Sequence, residues 1–169
     1  MKRKSFIKRR GTTSRSKAVA LADKWFSIYT RLKDTNQHGQ GRCTTCGRKM
    51  GWRDGDCGHF QTRGNLNTRW VIMNAHLQCG RCNMLDGEQF KHGIYIDARY
   101  GMGTTLMLQS EARKVSKFTT MEILDIAEKF ELLARAEAEK RGIDLDRQTK
   151  SWGEMAALKA EDGPDDNDS

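Results

Sequence analysis

Leu21, Trp25, Ile28 and Leu32 recur at three- and four-residue spacing with Ala22, Phe26 and Tyr29 beside them, which predicts an amphipathic helix from about Lys17 to Lys33. The polar run Asp34-Thr-Asn-Gln-His-Gly-Gln-Gly then breaks it. A second stripe, Ile123, Ile126, Ala127, Phe130, Leu133 and Ala134, predicts another helix, opened by a capping box of Thr119 and Glu122 and ended near Arg141-Gly142. The two stripes are expected to pack on each other, with a dimer seam as the alternative. Between Arg42 and Gly93 periodicity lapses, and the segment is rich in Cys, Gly, Asn and His. Within it, Gly51 to Phe60 reads as a turn entering a strand, Arg69 to Asn74 as a second extended segment, and Cys82 onward as the start of a short helix. A glycine-rich stretch from Tyr100 to Thr105 separates this centre from the second helical region.

A centre so poor in apolar residues needs a different tie, and the cysteines supply one. Cys43/Cys46 and Cys79/Cys82 form two C-x-x-C turns with zinc-knuckle spacing, and Cys57 is left over as a small filler. Four thiolates from two such turns close a tetrahedral site with no open position for water, so the zinc expected here is structural. No apolar run approaches membrane-spanning length and the first ten residues lack the core of a secretion signal, so a cytoplasmic setting is expected. A reducing compartment favours bound zinc over disulfides.

The fold expected is therefore α+β, a small zinc-stapled core flanked by N- and C-terminal helices. Residues 1–16 are read as a basic arm, 17–36 as the N-terminal helix, 37–93 as the core, 94–147 as the C-terminal helical region and 148–169 as an acidic tail without order.

The net charge of +8 points to a polyanionic partner, and its distribution sharpens the point. Residues 1–17 hold Lys2, Arg3, Lys4, Lys8, Arg9, Arg10, Arg15 and Lys17 with no acid, whereas Glu161, Asp162, Asp165, Asp166 and Asp168 make the tail acidic. Such an arm suits a phosphate backbone, since binding releases counterions; a merely solvated terminus is the plainer reading.

Between and around the knuckles stand Asp56-Cys57-Gly58-His59-Phe60 and Asn74-Ala-His76-Leu-Gln-Cys79-Gly-Arg-Cys82-Asn83. Read in order they give His59, Asn74 and Asn83 at the three positions of the HNH layout. The chemistry fits the residue types: an imidazole of near-neutral pKa can deprotonate water, and one divalent cation, magnesium or manganese, can stabilise the departing oxyanion. His59 is thus the candidate base, Asn83 a candidate oxygen ligand, and Asn74 a brace for the histidine-bearing loop through its backbone. Gly58 stands where HNH proteins commonly carry a metal-binding Asp or His. Asp56 is the nearest carboxylate, and it can join His59 only if Gly58 forms a bulge. His76 is a further candidate for the metal or a phosphate.

The set Cys43-x-x-Cys46-Gly47, Asp56-x-Gly58-His59-Phe60, Arg69-Trp70 and Asn74-x-His76-x-Gln78-Cys79-x-x-Cys82-Asn83 resembles the NinG/Rap group of phage recombination nucleases within the HNH superfamily. A weaker likeness runs through Tyr95 to Arg99 and Thr119 to Leu133. The resemblance implies a ββα-metal core and the resolving or nicking of Holliday junctions, flaps, D-loops and related branched DNA in phage recombination. Arg53, Arg63, Arg69 and Lys91 flank the proposed site and are candidate phosphate contacts beside Lys2, Arg3, Lys4, Lys8, Arg9 and Arg10. Trp52, Phe60 and Trp70 can stack on unpaired bases, although small zinc domains usually use such aromatics in their cores. Two nicks across a junction suit a homodimer. The competing readings are a non-catalytic zinc-ribbon DNA-binding accessory protein, and a nuclease acting on ordinary duplex.

Overall fold

The computed structural model describes residues 13–84 and 89–148. Helix α1, Arg15–Lys33, starts where the Ser14 side chain accepts from the Lys17 backbone N–H at 3.4 Å and ends with Arg31 and Lys33 in its last turn, where cations suit the helix dipole. Helix α6, Thr120–Glu139, begins with the expected capping box: Thr119 Oγ1 accepts from Glu122 N at 3.2 Å, and Glu122 Oε2 accepts from Thr119 N at 2.7 Å. The apolar stripes of the two helices meet. Ala18, Ala22, Phe26 and Leu32 of α1 pack against Ile123, Ala127, Phe130 and Ala134 of α6, with the Phe26 and Phe130 rings edge to face at 4.8 Å.

The centre lies against α1. Strands β1, Gln40–Arg42, and β2, Lys49–Gly51, pair antiparallel and carry the first cysteine turn between them. Strands β3, Asp56–His59, and β4, Ala75–Gln78, form a second antiparallel pair, with His59 opposite Ala75 and Asp56 opposite Gln78. Between these two strands run the short α2, Leu66–Arg69, and a 3-10 turn over Ile72–Asn74. After β4 come α3, Gly80–Met84; α4, Gln89–Tyr100; α5, Thr104–Ala112; and, beyond α6, α7, Leu145–Gln148.

Arg69 to Asn74 is therefore not extended, and the second strand starts one residue after it. Trp70 and Ile72 enter the main core and the Asn74 side chain turns into a loop, so what reads as strand alternation is the burial pattern of a turn. All four residues of β4 are buried, which leaves no period-two signal to read. The expected boundary after Gly93 likewise falls inside α4, whose buried positions include His92 and Gly93 and so carry little apolar periodicity.

Two satellite cores complete the packing: Met50 and Leu77 with Cys43, Cys79 and Cys82, and Phe60 with Ile96 and Leu108. Asp34, only 3% exposed at its side chain, joins the parts. Its carboxylate takes Lys33 Nζ at 2.9 Å, Arg99 Nη1 at 3.2 Å and the Leu77 backbone N–H at 3.0 Å, tying the end of α1 to α4 and β4. A buried carboxylate so fully bonded fixes geometry more than it adds stability. Among the described residues, no helix is long and apolar enough to cross a membrane.

Candidate metal centre and active site

The four cysteines of the C-x-x-C turns converge. The Sγ atoms of Cys43, Cys46, Cys79 and Cys82 all lie within 4.8 Å of one another. Gly47 makes the first turn possible, with φ +75° and its N–H on the Cys43 carbonyl at 2.9 Å. The second turn opens α3, where Asn83 N donates to Cys79 O at 3.0 Å. Thr44 N to Leu77 O at 3.0 Å and Gln78 Nε2 to Thr45 Oγ1 at 2.6 Å hold the turns together. Burial opposes ionisation of Cys43, yet the backbone N–H groups of Cys46, Cys79 and Thr45 outweigh it and bring the thiol down to about 7. Burial and the adjacent thiols push Cys82 up. Four thiolates this close repel one another unless a cation sits among them, and the soft donor set fits a metal ion such as zinc. Cys57 stands outside the cluster, its thiol pushed up to about 12 by burial.

His59 ends β3 half-buried, with its ring 5.6 Å from that of Phe26. Its Nε2 lies 3.0 Å from the Arg69 carbonyl oxygen and its Nδ1 3.2 Å from that of Cys57. Two acceptors would suit a ring carrying two protons, but burial disfavours the charge and holds His59 below the usual histidine range, helped by Arg63. A neutral ring has one N–H to give. Whichever nitrogen carries it, the other sets its lone pair beside a carbonyl oxygen.

The loop that presents the Arg69 carbonyl is braced by Asn74, which has no solvent exposure. Asn74 Oδ1 accepts from Gln61 N at 2.7 Å, and its Nδ2 donates to Gln61 O at 3.0 Å and Thr68 O at 2.9 Å.

Asp56 meets Asn83, not His59. Asn83 Nδ2 donates to Asp56 Oδ2 at 3.1 Å, and both residues are exposed. No bulge occurs at Gly58: the β3–β4 register runs without interruption, so Asp56 stays on the strand face opposite His59, with their Cα atoms about 10 Å apart at the usual rise. Gly58 is required for a different reason. A Cβ there would fall 1.7 Å from Gln78 Oε1, because the Gln78 side chain crosses it to reach Thr45.

His76 is placed far from a phosphate-binding role. It is fully buried, its Nδ1 3.0 Å from His92 Nε2 and its Nε2 3.1 Å from the Tyr100 hydroxyl. His92 gave no signal in the sequence, since one histidine on a helix without a motif is featureless. Arg69 is also drawn inward: its guanidinium forks onto Asp23, Nε to Oδ1 at 2.9 Å and Nη2 to Oδ2 at 2.6 Å, and Trp70 Nε1 joins Oδ1 at 2.9 Å. Arg53, Arg63 and Lys91 are exposed. Phe60 and Trp70 are core residues, while Trp52 is half-buried between the guanidinium groups of Arg31 and Arg53 at 5.3 and 5.4 Å. The arm cations Lys2, Arg3, Lys4, Lys8, Arg9 and Arg10 and the acidic tail lie outside the described residues.

Helices flanking two small sheets, with a four-cysteine cluster able to hold a metal, define a compact metal-knuckle α+β protein. Residues 1–140 match the family described as bacteriophage lambda NinG protein, and the chain belongs to that phage family, which is related to recombination. Comparison with curated proteins and with solved structures gave no significant match.

Proposed function

We propose that this chain is a metal-dependent endonuclease that hydrolyses phosphodiesters in branched DNA, with zinc on Cys43, Cys46, Cys79 and Cys82 holding the centre together. The observation that carries the reading is His59: an imidazole at a strand end held toward its neutral form by burial, its Nε2 3.0 Å from the Arg69 carbonyl in a loop braced by Asn74. Nδ1 faces the Cys57 carbonyl at 3.2 Å and would take a proton from water by turning from it; the imidazolium so formed has a carbonyl acceptor for each N–H. Asp56 and Asn83 would hold magnesium or manganese through hard oxygens, and the ion would supply charge neutralisation at a phosphate; the pair faces away from His59, so base and ion act on one phosphate only if this strand end rearranges when DNA binds. Membership of the NinG family supports the substrate class.

A second reading, a non-catalytic DNA-binding accessory to recombination, is favoured by one specific arrangement: Asp56 and Asn83 sit on the strand face away from His59. The two readings part in one experiment. Purified protein is incubated with a four-way junction, a flap and linear duplex, with and without magnesium, beside His59→Ala. The nuclease reading expects magnesium-dependent cutting of the branched substrates, lowered at least a hundredfold in the variant while binding persists. Binding without cutting by the parent protein selects the accessory reading, and equal cutting of linear duplex removes the branch preference.

A further inference from the structure

The cysteine hairpin carries charge that the fold does not use. Arg42 and Lys49 are directly opposite each other in the β1–β2 register, Arg48 adjoins them, and Arg81 lies inside the second cysteine turn; all four are exposed. Like charges facing each other across a strand pair are destabilising, and a hairpin of three-residue strands has little pairing to set against them. Some cations elsewhere have carboxylate partners, Arg69 with Asp23, Lys33 and Arg99 with Asp34, Arg135 with Glu131 and Asp146, Arg141 with Glu137, while others, Lys24, Arg53 and Arg63 among them, are in none of the ion pairs of the described residues; what sets the hairpin apart is the direct facing of two cations. Among the described residues, none of the ion pairs includes Arg42, Arg48, Lys49 or Arg81. Arg42 makes one internal bond, Nη1 to Gly47 O at 3.1 Å.

Part of this charge has a local explanation. A divalent ion with four thiolates would leave two negative charges at the knuckle, and neighbouring cations offset them. Four cations exceed that need, and they occupy the rim of both turns, while His59 lies at the other end of β3. We propose that the rim of the cysteine hairpin is a second phosphate-backbone contact, binding DNA separately from the His59 end through Arg48, Lys49 and Arg81 with Arg42. This rests on the chain being a DNA-acting protein and does not require that it cut. The partner is a polyanionic backbone because the cations are spread along an exposed edge; the recess beside them, lined by Asp34, Arg42, Cys43, Thr44, Gly47 and Tyr95, takes in Arg42 alone of the four and carries a carboxylate, which does not suit a single anion, whereas a duplex presents phosphates at repeated spacing.

The test uses full-length protein in the His59→Ala background without divalent cations, so that binding alone is read. Affinity for a fluorescent four-way junction is measured by anisotropy across a salt series, for the parent and for Arg48→Ala/Lys49→Glu. Lys49→Glu replaces the repulsion facing Arg42 with an attraction, so the melting temperature and zinc content are expected to match or exceed those of the parent. Junction affinity is expected to fall about tenfold or more, and the slope of log K against log salt to become shallower by roughly one to two units. Affinity and slope equal to the parent's overturn the proposal. Should the hairpin variant lose zinc, Arg81→Ala, on the helical side of the knuckle, answers the same question with an expected slope change of about one unit. Wild-type protein that, with magnesium, binds the junction without cutting it ends the nuclease reading and leaves this result to stand on its own.

Discussion

Asn74 and the backbone of the loop after β3 exchange three hydrogen bonds, one accepted from Gln61 N and two donated to Gln61 O and Thr68 O, in a site closed to water. An amide is the only common side chain of that size with both a donor pair and an acceptor. Asn74→Ala leaves the Gln61 N–H and carbonyl without partners, while Thr68 O keeps the Val71 N–H at 3.2 Å, and an expected loss of about 2–4 kcal/mol follows from the desolvation cost of the two Gln61 groups. Urea unfolding measures it; a shift under about 0.5 kcal/mol would mean that water replaces the amide. The brace was legible in the sequence because Asn74 stands at a fixed offset from Cys79. Gly58 was misread for the opposite reason. Its requirement comes from Gln78, a residue on another strand whose path depends on Thr45, and nothing at Gly58 itself announces a neighbour 1.7 Å from its missing Cβ.

Strand β4 and helix α4 meet through His76 and His92, whose facing nitrogens are 3.0 Å apart with 0% and 2% exposure. Burial, with the charge of Lys33, brings His76 down to about 2, and burial, with His59, brings His92 down to about 4. The unfolded chain titrates both near 6.5, so below that pH it binds more protons than the folded chain, and stability falls as pH falls from about 6.5 toward 4. Each histidine contributes a slope of about 1.4 kcal/mol per pH unit in that window. His92→Asn, which keeps a polar group facing His76, is expected to remove about half of the histidine part of the slope; an unchanged slope in urea melts at pH 6.5, 5.5 and 4.5 would count against the pair. Helices α1 and α6 were legible because one apolar face on each meets the other. Helix α4 was not, since its buried face is built partly from His92 and Gly93.

At the scale of the molecule, the α1–α6 core and the cysteine cluster are separate devices joined through Asp34 and β4. The cluster core contains only Met50 and Leu77 besides cysteines, too little apolar area to order the centre alone, so metal binding and folding of that region are expected to be one event. Metal analysis should find one zinc per chain. A strong chelator, or Cys43→Ser, should lower the melting temperature and expose thiols to a labelling reagent, while Cys57→Ser keeps the metal. Full zinc content in Cys43→Ser, or chelation with no thermal effect, would contradict the assignment.

By itself the sequence determined whatever is encoded at short range: the two cysteine turns, the caps and stripes of the long helices, and the offsets that single out His59, Asn74 and Asn83. Tertiary structure alone decided which groups became neighbours. Regular pairing of β3 with β4 separated Asp56 from His59, burial joined His76 to His92, and Asp23 took Arg69 out of the surface. Spacing along the chain fixes local geometry through a few dihedral angles, whereas the register of two strands and the far partner of a side chain depend on the packing of the whole molecule.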